Sequence, residues 1–158
     1  MKVLTVYWCL EKHLGWLIKL EEISWKTIKL NGIIGGNGRI GYNNKNILKR
    51  PGDTGNRPES TLVDFVGHLW CFKKEWLHYM FSIKPYTYDT GEDMHFCYSS
   101  KILGNISSYV GKQIGNGLSD TTNNRLAGDE FASFKTTSSD LRKSVENYFI
   151  KKTGNQSF

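Results

Sequence analysis

The sequence has little of what staples or punctuates a small fold: three cysteines, three prolines and four histidines among 158 residues. Cys9, Cys71 and Cys97 lie far apart and form no CxxC, which excludes a disulfide framework or a thiolate zinc cluster as the basis of the fold. They read instead as small, buried apolar residues. Long apolar runs are scarce too. The stretch from Met1 to Leu10 is apolar, but Glu11, Lys12 and His13 follow at once with no small-residue cleavage site, so neither a signal peptide nor a membrane span is expected and a cytoplasmic location is favoured. Basic residues gather only in pairs such as Lys73-Lys74 and Lys151-Lys152. The net charge of +6 therefore suits an anionic partner without supplying the concentrated arm of a nucleic-acid binder, and no nucleic acid is expected.

What is present is the composition of a globular domain, with 39% hydrophobic, 23% charged and 13% aromatic residues. A chain of this length buries roughly 68 to 70% of its unfolded surface, enough for one real core. Leu10, Leu14, Leu17 and Ile18 recur at helical spacing from Cys9 to about Leu20. Thr27 to Leu30 alternates polar and apolar, and Gly32 to Gly35 can extend it as a buried strand. Residues 35 to 60 are rich in Gly, Asn and Pro and predict a long loop or several turns. Leu62 to Phe72 predicts a strand, Lys73 to about Ile83 a helix closed by Pro85, and Glu92 to Leu103 a second helix with Gly104 as its cap. A last helix is expected from Ser139 to Lys152, with Gly154 beyond it. Strands and helices thus alternate, which predicts an α/β fold with a mixed sheet and flanking helices. The chain divides into a segment 1–58 of uncertain role, a region 59–152 and a tail 153–158.

Asp89, Glu92 and Asp93 form the densest acidic cluster of this basic chain, on the turn that feeds the helix from Glu92. A carboxylate there faces unpaired backbone N–H groups and the positive end of the helix dipole, which favours its charged form. A charged carboxylate can take a proton from a hydroxyl. Spacing alone favours a humbler role, with Thr90 as N-cap and Asp93 three positions on in a capping-box-like arrangement, although one carboxylate can cap while its neighbour faces a cleft. Gly36 to Gly41 matches GxGxxG with Glu59 downstream, but Tyr42 to Asn46 is a poor helix start and Pro51-Gly52 stops it, so a glycine-rich turn is the better reading. His68 and His95 have no partner at metal-ligand spacing and read as structural. Phe65, Trp70, Phe72 and Trp76 are more often core than a stacking face for a sugar.

Two segments together, Val63 to Trp76 and Gly91-Glu92-Asp93-Met94-His95-Phe96, resemble the acceptor side of family-two-like, GT-A-fold nucleotide-sugar glycosyltransferases. In that family an apolar strand ending in an aromatic precedes a Gly-Glu-Asp loop that opens a helix, and the likeness spans roughly residues 60 to 150. It implies an inverting transfer in which Asp93 is the general base and Glu92 binds an acceptor hydroxyl or orients the loop. Asp89 and Gly91 would belong to the substrate-binding turn, and Trp70 and Trp76 would wall the acceptor. It also implies a divalent cation, Mn or Mg, which the family holds through an Asp-x-Asp motif. This sequence contains no such motif, nor the opening strand-loop-helix that grips the nucleoside. The resemblance thus covers only the C-terminal half, a fragment for which a separate chain would bind the nucleotide-sugar donor. Two alternatives stay open: a catalytically inactive remnant or glycan-binding module, whose binding would survive loss of Asp93, and a basic nucleic-acid-binding protein, whose affinity would fall steeply with salt.

Overall fold

The computed structural model describes residues 29–43, 46–49, 59–111 and 139–153; the helix expected over Cys9 to Leu20 lies outside them. The fold is mixed α/β. In chain order it comprises β1 (Gly32–Asn43), β2 (Asn46–Lys49), β3 (Thr61–Val63), β4 (Phe65–Cys71), a 3-10 turn (Lys74–Trp76), α1 (Leu77–Ser82), α2 (Glu92–Gly104), β5 (Ser107–Val110) and α3 (Ser139–Thr153).

β1 organises the sheet. Its first half runs parallel to β5 and antiparallel to β4, its second half turns back on β2 as an antiparallel pair, and β3 closes the far side of β5. The sheet is therefore mixed, as expected. The loop predicted over 35 to 60 is corrected here, since β1 and β2 occupy much of it. The glycines that suggested turns serve close packing instead. A Cβ on Gly35 would stand 2.2 Å from Val66, and one on Gly38 would stand 2.8 Å from Val110. The boundary placed at residue 58 also cuts through this one sheet, because β1 pairs with both β4 and β5. Lys29 and Leu30, expected in a strand, are helical, and Asn31 at φ 49° leads from them into β1.

The single strand expected over 62 to 72 is two, β3 and β4, broken at Asp64, whose amide donates to the Arg39 carbonyl at 2.9 Å. The core lies between β4 and β5 and the inner side of α2, where Val66, Phe72, Met94, Phe96, Tyr98 and Val110 are buried together. Phe72 and Phe96 meet edge to face with centroids 4.8 Å apart, a favoured aromatic geometry. Seven consecutive residues of α2, Met94 to Ser100, are buried. That helix is enclosed on more than one side rather than lying amphipathically on a surface. α3 covers it with Val145 and Phe149. Gly104 is the last residue of α2, not its left-handed cap; that conformation falls to Asn105 at φ 51°.

Cys71 and Cys97 are buried, and burial pushes the Cys97 thiol up to about 12, so it is an inert core residue at neutral pH. Among the described residues no helix is long and apolar enough to cross a membrane.

Candidate functional site

The acidic turn is built on Gly91. At φ 82° and ψ 22° this residue occupies the left-handed region, which costs a residue with a Cβ roughly 1 to 2 kcal/mol. A Cβ there would also lie 3.2 Å from a methyl of Val145 on α3. Only glycine lets the chain reverse into α2 while α3 packs directly against the turn. Gly91 is thus the N-cap residue of α2, and no side chain caps the helix. The capping box expected from Thr90 does not form. Thr90 is buried and its hydroxyl instead accepts a long hydrogen bond, 3.4 Å, from Arg142 Nη1.

Asp93 stands in the first turn of α2, with Oδ1 accepting from the Met94 amide at 2.8 Å. Arg142, on α3, reaches the same carboxylate. Its Nη2 lies 3.2 Å from Oδ1 and 3.0 Å from Oδ2, so one guanidinium nitrogen bridges both oxygens. The side chains are 15% exposed at Asp93 and 19% at Arg142, which makes this a partly buried ion pair with less solvent screening than a surface pair has. Among the described residues Oδ2 accepts only from Arg142. With respect to the described residues, Oδ2 keeps a lone-pair direction that can accept a hydrogen bond from a further donor.

Glu92 and Asp89 are exposed and lie on the open side of the same turn. Thr87 orders Asp89, its hydroxyl donating to Asp89 Oδ2 at 3.2 Å and accepting from the Asp89 amide at 3.1 Å. The turn therefore presents three carboxylates in different conditions: Asp93 paired and recessed, Glu92 and Asp89 in water.

The tryptophans are placed differently. Trp76 is only 6% exposed and belongs to the core, with the Lys73 ammonium 4.9 Å above its ring. It offers no wall to a ligand, because the 3-10 turn preceding α1 directs its ring inward. Trp70 is half-buried, donating its indole N–H to the Val66 carbonyl at 3.0 Å and leaning on Phe96 at 5.9 Å. His95 is buried and structural, its Nε2–H donating to the Met80 carbonyl at 2.8 Å. His68 lies on β4, and its side chain is outside the described residues.

Among the described residues no three His, Cys, Asp or Glu side chains come together as a metal-binding group. The acidic turn does not fit one either. Arg142 places positive charge on both oxygens of Asp93, where a divalent ion would be repelled. The described residues thus supply no site for the cation implied by the resemblance.

Arg142 is a site residue to which sequence reasoning gave no role. It shares a helical face with Val145 and Phe149, and a cation in register with buried apolar positions was the available signal that it needed an anionic partner. Glu146 was also passed over. It is 5% exposed, and its carboxyl is pushed up to about 7, first by burial, then by the nearby charge of Asp64, with Lys143 opposing.

No family model, no curated protein and no solved structure matches this chain.

Proposed function

We propose that this chain is the acceptor-side part of a GT-A-like, inverting nucleotide-sugar glycosyltransferase, with Asp93 as general base. The observation that carries the reading is Asp93 itself: a carboxylate in the first turn of a helix, fixed through both oxygens by an arginine from another helix, with Oδ2 accepting from no other group among the described residues. In the proposed reaction the acceptor hydroxyl passes its proton to Asp93 Oδ2 while its oxygen forms a bond to the anomeric carbon. The bond from that carbon to the diphosphate breaks on the opposite side. The electron pair leaves with the nucleoside diphosphate, and configuration inverts. Arg142 is a positioning residue, since it acts through Asp93 and holds the carboxylate in one orientation. Glu92, exposed beside it, accepts a hydrogen bond from a second acceptor hydroxyl. The donor is held by residues outside this turn or by a separate chain.

The test is acceptor binding by the full chain, followed by saturation-transfer NMR with methyl glycosides of glucose, galactose and mannose. One or more should bind, and both Asp93→Asn and Glu92→Gln should weaken that binding in samples that keep the parent circular dichroism. Binding that is unchanged in both variants would assign the chain to the glycan-binding alternative. A folded chain that binds no glycoside would remove the acceptor reading altogether.

A further inference from the structure

Immediately before the acidic turn the chain exposes aromatic rings that the reaction above does not use. Tyr88 is 86% exposed and Tyr86 50% exposed, although neighbouring aromatics such as Phe96 and Tyr98 are buried. The backbone around Tyr88 and the ring of Tyr86 are held in place. The two hydrogen bonds between Thr87 and Asp89 close the backbone on either side of Tyr88. The Tyr86 ring leans on Tyr148 of α3 at 5.8 Å, and the Tyr148 hydroxyl donates to the Lys84 carbonyl at 3.0 Å.

We infer that Tyr88, on the same exposed loop as Tyr86, is a stacking platform for a neutral pyranose ring, with Asp89 and Glu92 accepting hydrogen bonds from its hydroxyls. This inference rests on the proposed function and names the part of the acceptor that reaches past Asp93. The chemistry of the patch selects the occupant. A pyranose has a face of C–H groups that packs on an aromatic ring and an edge of hydroxyls that donate to carboxylates. Charged ligands fit less well. An anionic ring such as a nucleotide meets Asp89 and Glu92, while a cationic peptide meets Lys84 and Lys152, the latter with its ammonium 5.0 Å above the Tyr148 ring. A hydroxyl-rich ring without charge satisfies both halves of the patch.

The experiment is calorimetric titration of the full chain with the same three methyl glycosides, comparing Tyr88→Ala, Tyr88→Phe and Phe81→Ala with the parent. Tyr88→Ala should weaken binding about tenfold, the loss expected when one aromatic anchor is removed. Tyr88→Phe should keep it, because the ring face is retained, and Phe81→Ala should leave it unchanged, because Phe81 is an exposed ring on α1 and not part of the loop that carries Tyr86 and Tyr88. Binding by Tyr88→Ala within about twofold of the parent overturns the platform. If Asp93→Asn and Glu92→Gln still weaken binding in that case, the acceptor reading stands without the platform. If none of the three substitutions weakens it, or no glycoside binds, both fall.

Discussion

α3 meets an acidic group of the rest of the molecule twice, one turn apart, and the two meetings are resolved in opposite ways. At Arg142 it supplies a cation, and the Asp93 carboxylate is bridged on both oxygens. At Glu146 it supplies another acid instead, buried and within the electrostatic reach of Asp64, and the outcome is a carboxyl pushed up to about 7. Charge compensated by an arginine leaves a carboxylate oriented and available. A carboxyl buried beside another acid, with Lys143 opposing only in part, keeps its proton to a higher pH. The contrast separates the two neighbourhoods: in the acidic turn a cation from α3 meets the carboxylate, and beside Asp64 a second acid does.

The largest effect should come from breaking the seat on which both meetings depend. Gly91→Ala combines a left-handed backbone with a Cβ pressed on Val145, and should lower stability by about 3 to 4 kcal/mol, read from the urea midpoint. In a Val145→Ala background, which carries its own cavity cost, Gly91→Ala should cost less because the clash is relieved, but the backbone cost should remain. No cost in that background would mean that the φ of 82° carries no penalty.

Next is the proton on Glu146. Its carboxyl rises from 4.5 unfolded to about 7 folded, so the folded state holds more protons between those values and stability falls as pH rises through that window. At roughly 1.4 kcal/mol per unit, the fall amounts to about 3 kcal/mol. Glu146→Gln should flatten that decline and leave the protein more stable than the parent at pH 8. A decline of unchanged slope in the variant would place the titrating group elsewhere.

The compensated pair comes third. Arg142→Met keeps the apolar stem but strands a partly buried carboxylate, which should cost about 2 kcal/mol. In Asp93→Asn the same arginine substitution should cost clearly less, and a double-mutant cycle measures the difference. Additive losses would mean that the two side chains meet without coupling. The smallest expected effect on stability is that of Tyr88→Ala, within about 0.5 kcal/mol, since the ring stands in water.

Much of the fold could be read from the sequence where local pattern decides it. The helix from Glu92 and the helix from Ser139 begin where expected, and the Asp89 to Asp93 turn lies where its charge density pointed. Pattern failed where a distant neighbour decides the role of a residue. Gly38 read as a turn former, yet it is a strand position made small by Val63 and Val110. Thr90 read as a cap, yet its hydroxyl is claimed by Arg142 from another helix. Trp76 read as a possible wall, yet one turn of 3-10 helix rotates its ring into the core. The Arg142–Asp93 pair joins positions 49 residues apart, and no local spacing encodes such a partner.

The account is tested most directly by mapping where an acceptor binds. Backbone amide shifts of the isotope-labelled full chain should be followed during titration with whichever methyl glycoside binds best. The largest changes should fall on the amides from Tyr86 to Met94, with a smaller response at Arg142. Changes concentrated on β1 and β4, with the Tyr86 to Met94 amides unmoved, would contradict the assignment of the acidic turn as the acceptor site.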